Sequence, residues 1–80
     1  MWIVYILLCN DSTFYTGITT DLGARIEAHN QGKGAKYTRG RGPVKVVWSQ
    51  DGLTESEARK EEIKIKKLSR AQKNEFISRP

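Results

Sequence analysis

The sequence predicts an α+β fold: a small three-stranded sheet, mixed or antiparallel, flanked by helices in the order β-β-α-β-α-α. Three observations predict it. Two β-branched and aromatic runs open the chain on either side of a polar turn. The segments Thr54-Glu55-Ser56-Glu57 and Ser69-Arg70-Ala71-Gln72 both read as capping boxes that start helices. Eighty residues, 38% apolar and 29% charged, suit one soluble domain spanning 1–80. A core this small supplies only ~3–5 kcal/mol of net stability.

Each element follows from local chemistry. Trp2-Ile3-Val4-Tyr5-Ile6-Leu7-Leu8-Cys9 is too short for a good helix and is followed at once by Asn10-Asp11-Ser12, so it reads as strand then turn. Both of its faces are apolar, which predicts a central strand. Thr13-Phe14-Tyr15-Thr16-Gly17-Ile18-Thr19 is its hairpin partner. Thr20 or Asp21 caps a helix to about Asn30, closed by Gly32, with Leu22 and Ile26 facing the core. Residues 32–43 form a long loop ending at Pro43. Val44-Lys45-Val46-Val47-Trp48-Ser49 is the third strand and Asp51-Gly52 a turn. The second helix runs from the Thr54 cap to about Lys67, and a short third helix runs through Ile77.

Composition excludes several functions. The apolar run Trp2 to Cys9 is far short of the ~18–20 residues of a membrane span, and no basic leader precedes it, so no signal peptide is expected. The single cysteine, Cys9, cannot form an internal disulfide, which predicts a reduced, cytoplasmic protein. One His and one Cys are too few for a closed zinc site. There is no Ser-His-Asp arrangement and no phosphate-cradling nucleotide fingerprint.

The net charge of +5 is uneven. Residues 32–45 carry Lys33, Lys36, Arg39, Arg41 and Lys45 with no acid, interleaved with four glycines. Residues 59–80 carry eight bases and three acids. Two basic blocks flank the acidic stretch 46–58, and polyanions such as nucleic acid are their natural partners. The glycine-rich loop can bring backbone N–H groups and cations together on phosphates. The alternative is that these bases merely solvate a loop and a helix.

Three groups of residues can carry chemistry. If Cys9 pairs with Thr13 across the turn, Tyr5 and Tyr15 share a face diagonally and Gly17 lies opposite Tyr5, leaving space beside two phenols. They are either site residues or half-buried strand aromatics with wet hydroxyls. Arg25 and His29 lie four apart on the first helix; Arg25 can clamp a phosphate and His29 can move a proton. On the second helix Ala58, Glu62 and Ile65 form one stripe, so Glu62 faces the sheet while Glu61 lies nearer solvent. A carboxylate there needs a partner. It is either an ion pair with Lys66 or Arg25, or a ligand for Mg²⁺, which keeps most of its waters.

In this order, the residues resemble the GIY-YIG nuclease superfamily, and more closely its small, single-domain bacterial branch. The two tripeptides of the name read here Ile3-Val4-Tyr5 and Tyr15-Thr16-Gly17. The helical Arg and His four apart are Arg25 and His29. Gly32, Lys36, Tyr37, Thr38 and Gly42-Pro43 follow, and the helix 58–70 carries Glu62 at the metal-ligand position. Ile3 replaces the first glycine of the name, Thr16 stands where Ile is usual, and Asn74 is the candidate for a late Asn of some members. The resemblance implies a DNA endonuclease, with DNA ahead of RNA, that hydrolyses phosphodiesters with one divalent metal, Mg²⁺ or Mn²⁺, on Glu62. Arg25 would bind the scissile phosphate. Tyr5 or Tyr15, with His29, would handle the proton of the attacking water. Lys33, Lys36, Tyr37, Arg39 and Arg41 would hold the strand. Two alternatives share the fold: a nucleic-acid-binding module with little catalysis, and a nuclease subunit activated by a protein partner. The latter predicts an exposed apolar patch near Trp2, Trp48 or Phe76.

Overall fold

The computed structural model describes residues 1–34 and 38–78. Its elements are β1 (Trp2–Leu8), β2 (Phe14–Thr19), α1 (Leu22–Asn30), β3 (Lys45–Leu53), α2 (Glu55–Lys66) and α3 (Arg70–Ser78). The sheet is antiparallel throughout, in the order β2-β1-β3. β1 is central, as its two apolar faces require, and Val4, Tyr5, Ile6 and Leu7 are all fully buried.

Strand alternation divides the core into two clusters. On one face Tyr5, Leu7, Cys9 and Val44 pack with Tyr15, Val46 and the α1 residues Leu22 and Ile26. On the other, Val4, Ile6 and Ile65 of α2 pack with Phe14, Ile18, Val47, Trp48, Leu53, Phe76 and Ile77. The sheet is therefore a middle layer between α1 and the α2–α3 pair.

The hairpin has the expected register: Cys9 N–H donates to the Thr13 carbonyl at 2.8 Å, and Tyr5 pairs with Gly17. The third strand differs from expectation. It begins at Lys45 and continues through Asp51-Gly52 to Leu53, which pairs with Trp2. The turn expected at Asp51-Gly52 is absorbed as an irregularity in the β1–β3 register, with Gly52 at φ 77°. Val44 sits just before the strand, where its N–H donates to Asn30 Oδ1 at 2.7 Å and ties the end of the loop to the end of α1.

Both capping boxes form. Glu57 N–H donates to Thr54 Oγ1 at 3.1 Å, and Thr54 N–H donates to Glu57 Oε1 at 2.9 Å. Ser69 and Gln72 repeat the exchange at 3.2 and 2.8 Å. Thr54→Ala is expected to cost about 1 kcal/mol, lowering a thermal midpoint by roughly 4–8 °C, which a thermal melt would read.

The apolar patch expected near Trp2, Trp48 or Phe76 is not found there. Trp48 and Phe76 pack on each other, ring centroids 4.7 Å apart, within the second cluster. Among the described residues, the exposed large apolar side chains are Met1 and Ile63. No helix among them is long and apolar enough to cross a membrane.

Candidate active site

Tyr5 stands at the centre of the sheet, and its ring runs over Gly17 on β2. A Cβ at position 17 would meet the Tyr5 hydroxyl oxygen at 2.6 Å and Cζ at 2.8 Å. The glycine therefore supplies the space the phenol occupies. Tyr15, two residues along the same face, lies 6.4 Å from Tyr5 between ring centroids and is half-buried.

α1 supplies the next two groups. Asp21 caps the helix by accepting from the Ala24 N–H at 3.1 Å, which fixes where its turns point. His29, in the last turn, is 1% exposed. Its Nε2 lies 3.1 Å from the Tyr5 hydroxyl and its Nδ1 2.7 Å from Thr38 Oγ1. Its ring is 5.2 Å from that of Tyr15. One turn earlier, Arg25 is exposed, with its guanidinium near enough to act on the Tyr5 hydroxyl. The guanidinium can only donate. With Tyr5 donating to His29 Nε2, Nδ1–H donates to Thr38 Oγ1; in the other tautomer both bonds reverse.

Titration follows from this packing. Burial pushes the Tyr5 phenol above its ordinary value, against the pull of the nearby Arg25 guanidinium. The charges of Tyr15 and Glu62 push it the same way as burial. Burial, and then the Arg25 charge, holds His29 below its ordinary value, so it is neutral at pH 7. A depressed folded value means that the unfolded chain takes up the proton first. The stability from this group is complete above about pH 6.5 and is lost as pH falls below it. Thermal midpoints of the wild type should therefore drop between about pH 7.5 and about pH 5.5. His29→Gln should lose that part of the slope.

Glu62 lies on α2, in the second helical layer. Its side chain is 21% exposed against 31% for Glu61, the order the helical stripe predicts, and it pairs with Lys66 at 3.3 Å. The ion-pair reading is thus realised with Lys66. It leaves Glu62 near enough for its charge to act on the Tyr5 hydroxyl. Among the described residues no three metal-ligating side chains come together. A closed metal cage is excluded there. A single carboxylate, with the remaining positions filled by water and phosphate oxygens, fits Mg²⁺ or Mn²⁺.

The basic loop is only partly a free surface. Lys33 and Arg39 are exposed. Lys36 and Tyr37 lie outside the described residues. Arg41 pairs with Asp11 in the β1–β2 turn, its N–H donates to the Thr38 carbonyl at 3.1 Å, and its own carbonyl accepts from the Asn10 N–H at 2.7 Å. Arg41 therefore fastens the loop to the hairpin, next to the threonine that holds His29. Gly34 also matters here: a Cβ there would come 2.7 Å from His29 Cγ and 2.9 Å from its Cα. Gly34 is five residues beyond His29 in a loop of several glycines, and spacing alone does not single it out.

Comparison with known proteins identifies the family. The family description "GIY-YIG catalytic domain" matches residues 1–75. A UPF0213 protein of Clostridium perfringens is 56% identical over 94% of this chain and 81% of its own length. Another, of Halobacterium salinarum, is 53% identical over 88% of this chain and 91% of its own, so relatives extend beyond bacteria to archaea. The solution NMR structure of the UPF0213 protein BH0048 from Bacillus halodurans superposes with a TM-score of 0.63 at 48% identity, covering 98% of this chain and 84% of that one. The chain belongs to the GIY-YIG family, among UPF0213 relatives of similar size.

Proposed function

We propose that this protein, as one domain over 1–80, is an endonuclease that hydrolyses phosphodiester bonds of nucleic acid, DNA ahead of RNA, with one divalent metal held by Glu62. The observation that carries the reading is the buried chain Tyr5–His29–Thr38, with the charges of Arg25 and Glu62 acting on the Tyr5 hydroxyl. A buried neutral imidazole whose one nitrogen faces a phenol and whose other is fixed by a hydroxyl is arranged to receive a proton. A bound Mg²⁺ or Mn²⁺ would neutralise charge on a non-bridging oxygen and on the leaving 3′ oxygen.

The chain's own residues do the rest. Arg25 lies at the surface and acts on the Tyr5 hydroxyl, so it would draw the scissile phosphate and its attacking water toward that hydroxyl. As the water attacks phosphorus and the P–O3′ bond breaks, the water gives its proton to the Tyr5 oxygen, Tyr5 gives its own to His29 Nε2, and the departing 3′ oxygen takes a proton from solvent. The phenol never has to ionise, which suits a group held above its ordinary value. Thr38, by accepting from Nδ1–H, would leave Nε2 free to take the proton. Tyr15 packs on His29 and forms the solvent side of the cluster. On this account Tyr5→Phe lowers the cleavage rate about 10²-fold or more and Tyr15→Phe lowers it less, as single-turnover rates would show.

Lys33 and Arg39, with Lys36 and Tyr37, would hold the flanking backbone, and binding should weaken steeply with salt. The activity test uses end-labelled single-stranded, duplex, flapped and four-way DNA, together with RNA, in Mg²⁺, Mn²⁺ or EDTA. Metal-dependent cleavage absent from Glu62→Ala supports the reading. Salt-sensitive binding that is indifferent to metal and to Glu62 would replace it with a binding module.

A further inference from the structure

We propose that the cavity between β2 and the α2–α3 pair binds a second phosphate of the nucleic-acid strand, flanking the scissile one; this rests on the nuclease reading above and extends it along the strand. The cavity has a volume of about 340 Å³ and is lined by Phe14, Tyr15, Thr16, Lys66 and Lys73. Thr16 is 3% exposed, and its Oγ1 is the one buried side-chain oxygen or nitrogen among the described residues with no hydrogen-bond partner. A buried hydroxyl without a partner is costly, and native structures rarely keep one.

The chemistry of the lining selects the ligand. Two lysines and a threonine line the cavity and no carboxylate is among the lining residues, although Lys66 also pairs with Glu62. Phosphate oxygens accept from all three. A stacked base is the poorer fit, because the Arg70 guanidinium already covers the Phe14 ring at 5.0 Å. That guanidinium adds positive charge beside the cavity. Two residues join the cavity to the catalytic cluster. Tyr15 belongs to both, and Lys66 reaches from the cavity to Glu62 at 3.3 Å. A strand entering here would lie along the edge strand β2 toward Tyr5 and Arg25.

The test is an NMR titration of the full chain at low salt with inorganic phosphate and with a deoxynucleoside 3′,5′-bisphosphate, using the wild type, Thr16→Val and Lys73→Ala. The amides of Phe14, Tyr15, Thr16 and Lys73 should shift with both probes. Affinity for the bisphosphate should fall about tenfold in each variant. Thr16→Val removes an unpartnered hydroxyl, so its thermal midpoint should hold or rise while binding weakens. A purely structural Thr16 would move the midpoint and leave affinity alone. Unchanged affinity in both variants, or shifts confined to other residues, overturns the proposal. The two readings fail separately. Cleavage with unchanged KM in both variants refutes the cavity and leaves the nuclease standing. Binding lost in both variants, with no nucleic acid cut by the wild type, leaves the cavity standing and refutes the nuclease.

Discussion

Arg25→Ala should lower the cleavage rate by about 10²–10³-fold, the usual loss when one preorganised charge is removed from a phosphoryl or oxyanion site. Arg25 is exposed on α1, so the fold should change by no more than about 0.5 kcal/mol. The loss should appear in kcat and not only in KM, because the charge is wanted most where the phosphate gains charge in the transition state. Arg25→Lys should recover little. An ammonium is a point charge and cannot cover both the phenol oxygen and a phosphate as the planar fork can. The pH profile should move as well. Arg25 helps to hold His29 below its ordinary value, so its loss raises the His29 value and shifts the acid limb of the rate upward. A stable variant with an unchanged rate and an unchanged acid limb would remove Arg25 from the mechanism.

Gly17→Ala should be nearly as damaging, through packing alone. The new methyl would fall 2.6 Å from the Tyr5 hydroxyl and 3.1 Å from Tyr15 Cε2. Tyr5 is fully buried in the central strand and has no free space to rotate into. Overpacking of this kind costs about 1–3 kcal/mol. The catalytic loss should exceed what that stability change explains. The hydroxyl would be pushed from its 3.1 Å contact with His29 Nε2, and small displacements of a reacting group cost about 10² in rate. Combining Gly17→Ala with Tyr5→Phe should restore stability only in part, since Cζ still lies 2.8 Å from the added carbon. Denaturant unfolding and single-turnover rates on the same variants separate the two effects.

These two positions also show what could be read from the chain alone. The close approach of Gly17 to Tyr5 was legible, because the short turn after Cys9 sets the hairpin register and strand alternation sets the face. The central place of β1 was legible from its two apolar faces, and the inward tilt of Glu62 from helical spacing. Other contacts depend on tertiary placement. His29 is visible as a helical neighbour of Arg25, but its burial comes from Gly34 and Thr38, which the loop brings back over it. Arg41 reads as a phosphate contact, but its pairing with Asp11, thirty residues away, depends on tertiary placement that the sequence does not show. Asp51-Gly52 carries a turn signal that pairing with Trp2 overrides, because Gly52 can adopt a positive φ without leaving the strand.

The central claim is that one cluster, Tyr5, Arg25, His29 and Glu62, cuts phosphodiesters with a single divalent metal. The most direct measurement is single-turnover cleavage of the preferred substrate by the wild type and by Glu62→Gln, side by side, as Mg²⁺ is titrated. Circular dichroism on both proteins would report the fold. The account predicts a saturable, metal-dependent rate in the wild type and none in a folded Glu62→Gln. Cleavage that persists in EDTA, or equal rates in the two proteins across the titration, would contradict it.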